Sequence, residues 1–113
     1  LMLALRERAG RVTGDASTRY ALKFRVLEPG EWWEVAYLAF LDVTSAPTSI
    51  DVYLEGHGYK HYLTQQTPTN ANYIYFLDRP FKIFEGETLV VEFVGGGASD
   101  ALEAWATGDK DRL

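Results

Sequence analysis

Apolar and polar positions alternate along most of the chain. Tyr20, Leu22, Phe24 and Val26 fall on one side and Lys23 and Arg25 on the other, which is the period of two that a half-buried strand requires. Glu28, Pro29 and Gly30 then turn the chain, because proline presets one backbone angle and glycine accepts the unusual one. Residues 31–43 are rich in Trp, Val, Tyr and Phe, Ala46-Pro47-Thr48 breaks the run, and Ile50, Val52 and Leu54 alternate with Asp51, Tyr53 and Glu55 as a further strand. Gly56 and Gly58 mark a tight turn into a strand over 59–64, followed by a polar loop over 65–72. Extended structure resumes over 73–77. After Asp78-Arg79-Pro80 it continues over 81–84, and after the hairpin signal Glu85-Gly86-Glu87 over 88–94, with Leu89, Val91 and Phe93 in phase. Three glycines, 95–97, end that strand. Residues 101–107 set Leu102, Ala104 and Ala106 against Glu103 and Trp105, ahead of a polar tail over 108–113.

These eight short strands, with turn signals every ~8 to 12 residues, have the spacing of a sandwich or barrel. Parallel strands would need crossover helices, and only the first nine residues have anything helical, so the sheets are expected to be antiparallel. The sequence therefore predicts an all-β, antiparallel, eight-stranded jelly-roll-like β-sandwich over residues 20–113, with an immunoglobulin-like sandwich as the alternative. Residues 1–19 read as an N-terminal arm. Leu1, Leu5 and Arg8 have helical spacing and Gly10 and Gly14 close the segment, so residues 1–9 are a short helix or an arm. In 31–43, Trp33, Tyr37 and Leu41 also sit four apart, the spacing of a helix, but β-branched and aromatic content favours a strand.

If 31–43 is extended, one face carries Trp33, Val35, Tyr37, Ala39 and Leu41 and the other Trp32, Ala36, Leu38 and Phe40. Both are apolar. A strand of a free-standing antiparallel sandwich normally shows water one face, so this one needs covering twice. The cover is the arm, through Leu1 and Leu5, the protein's own loops, or a neighbouring subunit across an aromatic-rich patch. The arm is short and half charged, which favours the subunit. Trp32, Ala36, Leu38, Phe40, Leu1 and Leu5 are thus the candidate oligomer or partner interface, and an Asp at position 38 or 40 is expected to dissociate the oligomer without unfolding it.

Composition narrows the function. A chain of 113 residues and 12.7 kDa supports one core. With 47% apolar and 14% aromatic residues against 24% charged, it folds. The absence of cysteine excludes disulfides and thiol chemistry. A net charge of -5 and a pI near 4.9 repel a phosphate backbone, so nucleic acid is not an expected partner. The longest apolar run, 35–41, falls far short of the roughly 20 residues of a helical membrane span, so a soluble protein with no membrane partner is expected. Arg6, Glu7 and Arg8 interrupt the first apolar stretch, so no export signal is visible. The chain opens on Leu rather than Met, which leaves residues upstream open.

Candidate chemistry does not assemble. His57 and His61 sit four apart near Glu55, but a Gly-His-Gly turn feeding a strand does not hold both rings on one ion, and no third ligand is evident. Asp100, Asp109 and Asp111 lack the twelve-residue calcium loop pattern and read as solvated carboxylates. The three glycines at 95–97 lack the lysine and helix of a phosphate loop. The serines have no nucleophile-elbow context, and Glu85 and Glu87 lie at a hairpin tip. No enzyme, cofactor or metal is expected, and a cupin-like enzyme lacks its ligands. Trp32, Trp105 and the Tyr53, Tyr59, Tyr62, Tyr73 and Tyr75 group have phases that permit exposure. Of these, Tyr59, Tyr62 and Trp105 form the candidate exposed aromatic patch, suited to stacking on a sugar. A carbohydrate-binding module is accordingly the second functional reading.

The segment from Pro80, PFKIFEGETLVVEFVGGGASDALEAWATG, resembles the end of small β-sandwich structural proteins of tailed bacteriophages, where a hairpin with a Gly-Glu or Gly-Asp turn precedes two closing strands. The resemblance covers about a third of the chain and is compositional. It implies a jelly-roll capsid decoration or cement protein of the virion, often a homotrimer, that braces the major capsid protein or another virion protein. Fibre or tail modules share the same look.

Overall fold

A computed structural model of the chain describes residues 2–12, 19–97 and 99–112, and among these it contains nine strands and no helix. The strands are β1 (Leu3–Val12), β2 (Arg19–Lys23), β3 (Glu31–Asp42), β4 (Ser49–Gly56), β5 (Tyr59–Gln66), β6 (Tyr75–Leu77), β7 (Phe81–Ile83), β8 (Thr88–Val94) and β9 (Ala101–Arg112). One sheet has the order β1-β9-β3-β6, with β7 also on β3; the other has the order β2-β8-β4-β5. Every pairing is antiparallel. Because β6 and β7 occupy one edge of β3 in succession, they act as a single interrupted strand. The result is the eight-position jelly roll of two packed sheets, and residues 31–43 are strand rather than helix.

The ends of the chain differ from expectation. Residues 3–12 are neither helix nor free arm but an edge strand, paired with β9 from Leu3↔Lys110 to Val12↔Ala101. Local helical spacing is a weak preference that tertiary pairing overrides. Here β9 offers an open row of backbone donors and acceptors, and Leu5 and Ala9 gain burial in the core. The polar tail is strand for the same reason: β9 runs on to Arg112, held by β1 on one side and by Glu31–Val35 on the other. At β2 the alternation ends early. Leu22 and Phe24 are buried, but Val26 is exposed and Leu27 is buried in its place.

Between the sheets, Leu22, Ile50, Val52, Leu54, Leu89, Val91 and Phe93 meet Leu5, Trp33, Val35, Leu38, Phe40, Ile83, Leu102 and Ala104. Burying each large apolar side chain contributes about 1.5 to 3 kcal/mol, so this layer is the principal source of stability.

One irregularity crosses the five-stranded sheet. The register of β3 against β9 shifts between Val35 and Tyr37, leaving Ala36 as a β-bulge. An extra residue reverses the side-chain alternation beyond it. On one flank of the bulge, β6 pairs with 38–40 and β7 with 33–35, so the Asp78-Arg79-Pro80 break lies level with Ala36; Pro80 lacks the N–H that a continuous ladder would use. On the other flank stands Gly108, opposite Val35. A Cβ on Gly108 would overlap the Glu34 carbonyl oxygen and stand 2.9 Å from Ala36 N. Glycine is thus required where the bulged backbone presses against β9.

β3 begins on a buried carboxylate. Glu31 accepts from Arg25 Nη1 at 2.7 Å and Nη2 at 2.5 Å, from Glu28 N at 2.9 Å and from Trp33 Nε1 at 3.0 Å. The Arg25 guanidinium beside it, with the backbone and indole donors, holds its carboxyl down at about 2. The pair ties the 24–30 connection to the end of the sandwich.

Gly108→Ala is expected to lower unfolding free energy in urea by ~2 kcal/mol or more. Gly10→Ala, whose new methyl meets only the flexible Arg8 side chain, serves as the tolerated control, and equal midpoints would refute the close-approach argument. Because the Glu31 carboxyl titrates lower in the folded chain than its ordinary 4.5, the stability it contributes is complete above that value and lost as pH falls towards 2. Glu31→Gln should therefore flatten stability between pH 4.5 and 2, removing on the order of 2 kcal/mol of acid sensitivity once the solvent-open side of Arg25 is discounted. An unchanged acid limb in urea melts would contradict it.

Candidate binding surface

The bulge decides which side chains β3 presents to solvent. Before it, Trp33 and Val35 point into the core; after it, Leu38 and Phe40 do, all four without measurable exposure. Tyr37, Ala39 and Leu41 are thereby turned to the outer face. Across that face Ala39 lies between Trp105 of β9 and Phe76 of β6, and Tyr37 lies beside Thr107. Tyr37 and Phe76 stack with centroids 5.6 Å apart. Ala39 and Leu41 are themselves covered, whereas Tyr37 at 38%, Phe76 at 50% and Ile74 at 51% remain exposed. Ala39 is thus covered between larger neighbours, and Tyr37, Phe76, Ile74 and Val43 leave exposed apolar surface beside it.

The rim of this patch is charged. On the β1 side Arg8 donates to Glu103 at 2.5 Å, and Arg6 and Arg8 line a shallow groove of about 210 Å³ beside Trp105 and Thr107. Beyond Tyr37 the outer positions are Glu34, Lys82, Asp109 and Asp111. Trp32 also faces outward, at the end of this charged row opposite Asp111, with Lys82 Nζ 5.8 Å from its ring centre, in a cavity of about 220 Å³ shared with Phe84 and Glu85.

The interface residues expected from sequence are therefore redistributed. Leu38 and Phe40 belong to the core, because the bulge reverses the phase that an unbroken alternation gives them. Leu5 is also core, at 1% exposure, since β1 is a strand of the sandwich. Ala36 is exposed as the bulge itself. Trp32 is half-buried on the outer face, and Leu1 lies outside the described residues. Their place is taken by Tyr37, Phe76 and Ile74. The segment Tyr73-Ile74-Tyr75-Phe76-Leu77 is apolar in both phases, the same signal used for residues 31–43, and it would have pointed to Ile74 and Phe76.

The expected aromatic patch does not form one surface. Trp105 lies on the outer face of the five-stranded sheet, while Tyr59 and Tyr62 are on β5, the edge of the other sheet. Tyr62 packs at 5.2 Å on Tyr53, and Lys60 Nζ lies 4.8 Å from the Tyr53 ring centre. Together these side chains leave Tyr53 only 2% exposed, and burial pushes its phenol up to about 12.

His57 and Gly58 form the two-residue β4–β5 connection, both with positive φ, as a type I′ hairpin turn requires; His61 is exposed on β5. Among the described residues no three His, Cys, Asp or Glu gather closely enough to form a metal cluster. Asp109 is exposed, but Asp100 is not a solvated loop carboxylate: it is 1% exposed. Gly97 N donates to its Oδ2 at 2.9 Å, as does the Ser45 hydroxyl. Asp42, last residue of β3, lies against it at 3% exposure. Burial, and Asp100 beside it, push the Asp42 carboxyl up to about 6, while hydrogen bonds hold Asp100 low. Asp42 and Asp100 are far apart in the chain, and no local pattern marks their meeting.

No protein-family model matches the chain, and no curated protein matches it.

Phe40→Asp places a carboxylate in the core and is expected to abolish cooperative unfolding, as followed by circular dichroism. A folded, merely dissociated Phe40→Asp chain would return that side chain to an interface.

Proposed function

We propose that this protein is a non-enzymatic structural protein that self-associates through the outer face of its five-stranded sheet and, as a homotrimer, decorates a larger protein shell such as a virion capsid. The observation that carries the reading is the apolar patch of Tyr37, Phe76, Ile74 and half-buried Trp105 beside Ala39. Contiguous apolar surface with a polar rim is typical of protein docking sites. A second copy is the occupant favoured by charge. The face carries Arg6 on one margin and Glu34, Asp109 and Asp111 at one end, so around a three-fold axis the cationic margin of one copy can meet the acidic end of the next, head to tail, with the apolar centres turned towards the axis. That complementarity also offsets the repulsion between chains of net charge -5. The shell-binding role and the trimeric state rest on the compositional resemblance of the segment from Pro80. The remaining surface, including the edge of β1 that pairs with no other described strand, is then available to the shell.

Multi-angle light scattering tests the reading. The expected particle is three times the 12.7 kDa chain, and Tyr37→Glu with Phe76→Glu, at two exposed positions, should yield folded monomers with an unchanged circular dichroism spectrum. A monomeric wild-type chain, or an oligomer indifferent to both substitutions, would overturn it. A monomer retained on a polysaccharide column would instead support the carbohydrate-binding module.

A further inference from the structure

The two ends of β3 treat their buried carboxylates differently. Glu31 has Arg25 as its countercharge. Asp42 receives only the backbone N–H groups of Thr44 at 3.0 Å and Ser45 at 3.1 Å, both on Oδ1. Its Oδ2 is buried with no hydrogen-bond donor, an uncommon condition for a buried polar atom and one that calls for a cause. That oxygen points towards Asp100. A Cβ built on Gly96 would stand 3.3 Å from Asp42 Oδ2 and 3.1 Å from Asp100 Oδ2, so the two carboxylates converge on a spot that only a glycine leaves unfilled. The Ser45 hydroxyl donates to Asp100 Oδ2 and so sets a third oxygen beside the pair.

Two adjacent buried carboxylates are not stable together as free anions; a proton or a cation must lie between them. We propose that Asp42, Asp100 and Ser45 form a binding site for one calcium ion, with loop carbonyl groups and water completing its shell. The donor set is entirely oxygen, as a hard cation requires. Oxygens drawn from separate loops suit calcium, which accepts roughly six to eight oxygens flexibly, better than magnesium, which demands a near-ideal octahedron. Two carboxylates neutralise a divalent rather than a monovalent ion. The ion clamps one end of the sandwich. It joins Asp42 and Ser45 to Asp100, beside the bond that Ala101 N, at the start of β9, donates to Thr44 Oγ1 at 3.1 Å. Through the Asp42 carbonyl, which accepts from Asn72 N at 2.8 Å, it also steadies the segment before β6. The inference is independent of self-association and uses no residue of the apolar face.

The test is thermal unfolding and titration calorimetry of the EDTA-treated chain at pH 7.5 with calcium chloride. One ion per chain is expected, with a rise in Tm on the order of 10 °C when calcium is about a hundredfold above its Kd and a smaller rise with magnesium. Asp42→Asn should fold, because its amide can donate to Asp100, and should lose the calcium-dependent rise. Gly96→Ala fills the converging space with a methyl group and should weaken binding at least tenfold. Absence of both heat and Tm shift in the wild-type chain would overturn the proposal and leave a shared proton as the resident of the pair. A shift of equal size in Asp42→Asn and Gly96→Ala would equally overturn it by placing the ion elsewhere. Should Asp42→Asn fail to fold, the Gly96→Ala comparison and the wild-type stoichiometry still decide.

Discussion

The backbone contact between Gly108 and the bulge at Ala36 is the constraint on which the five-stranded sheet depends. A side chain at 108 would overlap the Glu34 carbonyl, so β9 can follow β3 through the bulge only because it has none. The consequence is carried by every residue of β3 beyond position 36. Trp33 and Val35 are separated by an even step and point inward together; Leu38 and Phe40 join them only because one extra residue has been absorbed. The opposite edge accommodates the same irregularity by breaking into β6 and β7 around Pro80. Bulge, glycine and proline are thus three components of one accommodation, in one row across the sheet.

This accommodation also creates the outer apolar face on which the proposed self-association rests. Without the shift, Tyr37, Ala39 and Leu41 would lie in the core and Leu38 and Phe40 would meet solvent. With it, the core receives the residues that fill it, and the outer face receives an aromatic residue that stacks on Phe76 beside Ala39, which larger neighbours cover. An exposed apolar surface of this kind favours another such surface more than a ligand that needs a deep cleft; the concavities along this face, beside Trp105 and around Trp32, hold only about 210 and 220 Å³.

The two ends of β3 add a contrast in electrostatics. At its start Glu31 is neutralised by Arg25 and satisfied by backbone and indole donors. At its end Asp42 meets another acid. Burial without a countercharge raises the carboxyl of Asp42, and hydrogen bonds lower that of Asp100, so the pair divides its titration as closely spaced acids do. One corner is closed by an internal ion pair, and the other brings two carboxyl groups together.

The local periods were legible along the chain. Alternation at Ile50-Val52-Leu54, Leu89-Val91-Phe93 and Leu102-Ala104-Ala106 identified strands and their inward faces, and the lack of crossover helices fixed antiparallel sheets. The doubly apolar character of 31–43 was equally legible, because it depends on composition and not on phase. Features that depend on a second strand were settled by folding. Residues 3–12 became strand because β9 offered its edge, and the polar residues after Gly108 became strand because β1 and β3 held them from either side. Leu38 and Phe40 went to the core because register across β3 and β9, rather than spacing along β3, places a bulge. Asp42 and Asp100 met because that register brings distant loops to one end of the sandwich. Periodicity is a property of one segment, whereas register and convergence are properties of pairs, and a single chain read in order contains no record of which pairs will form.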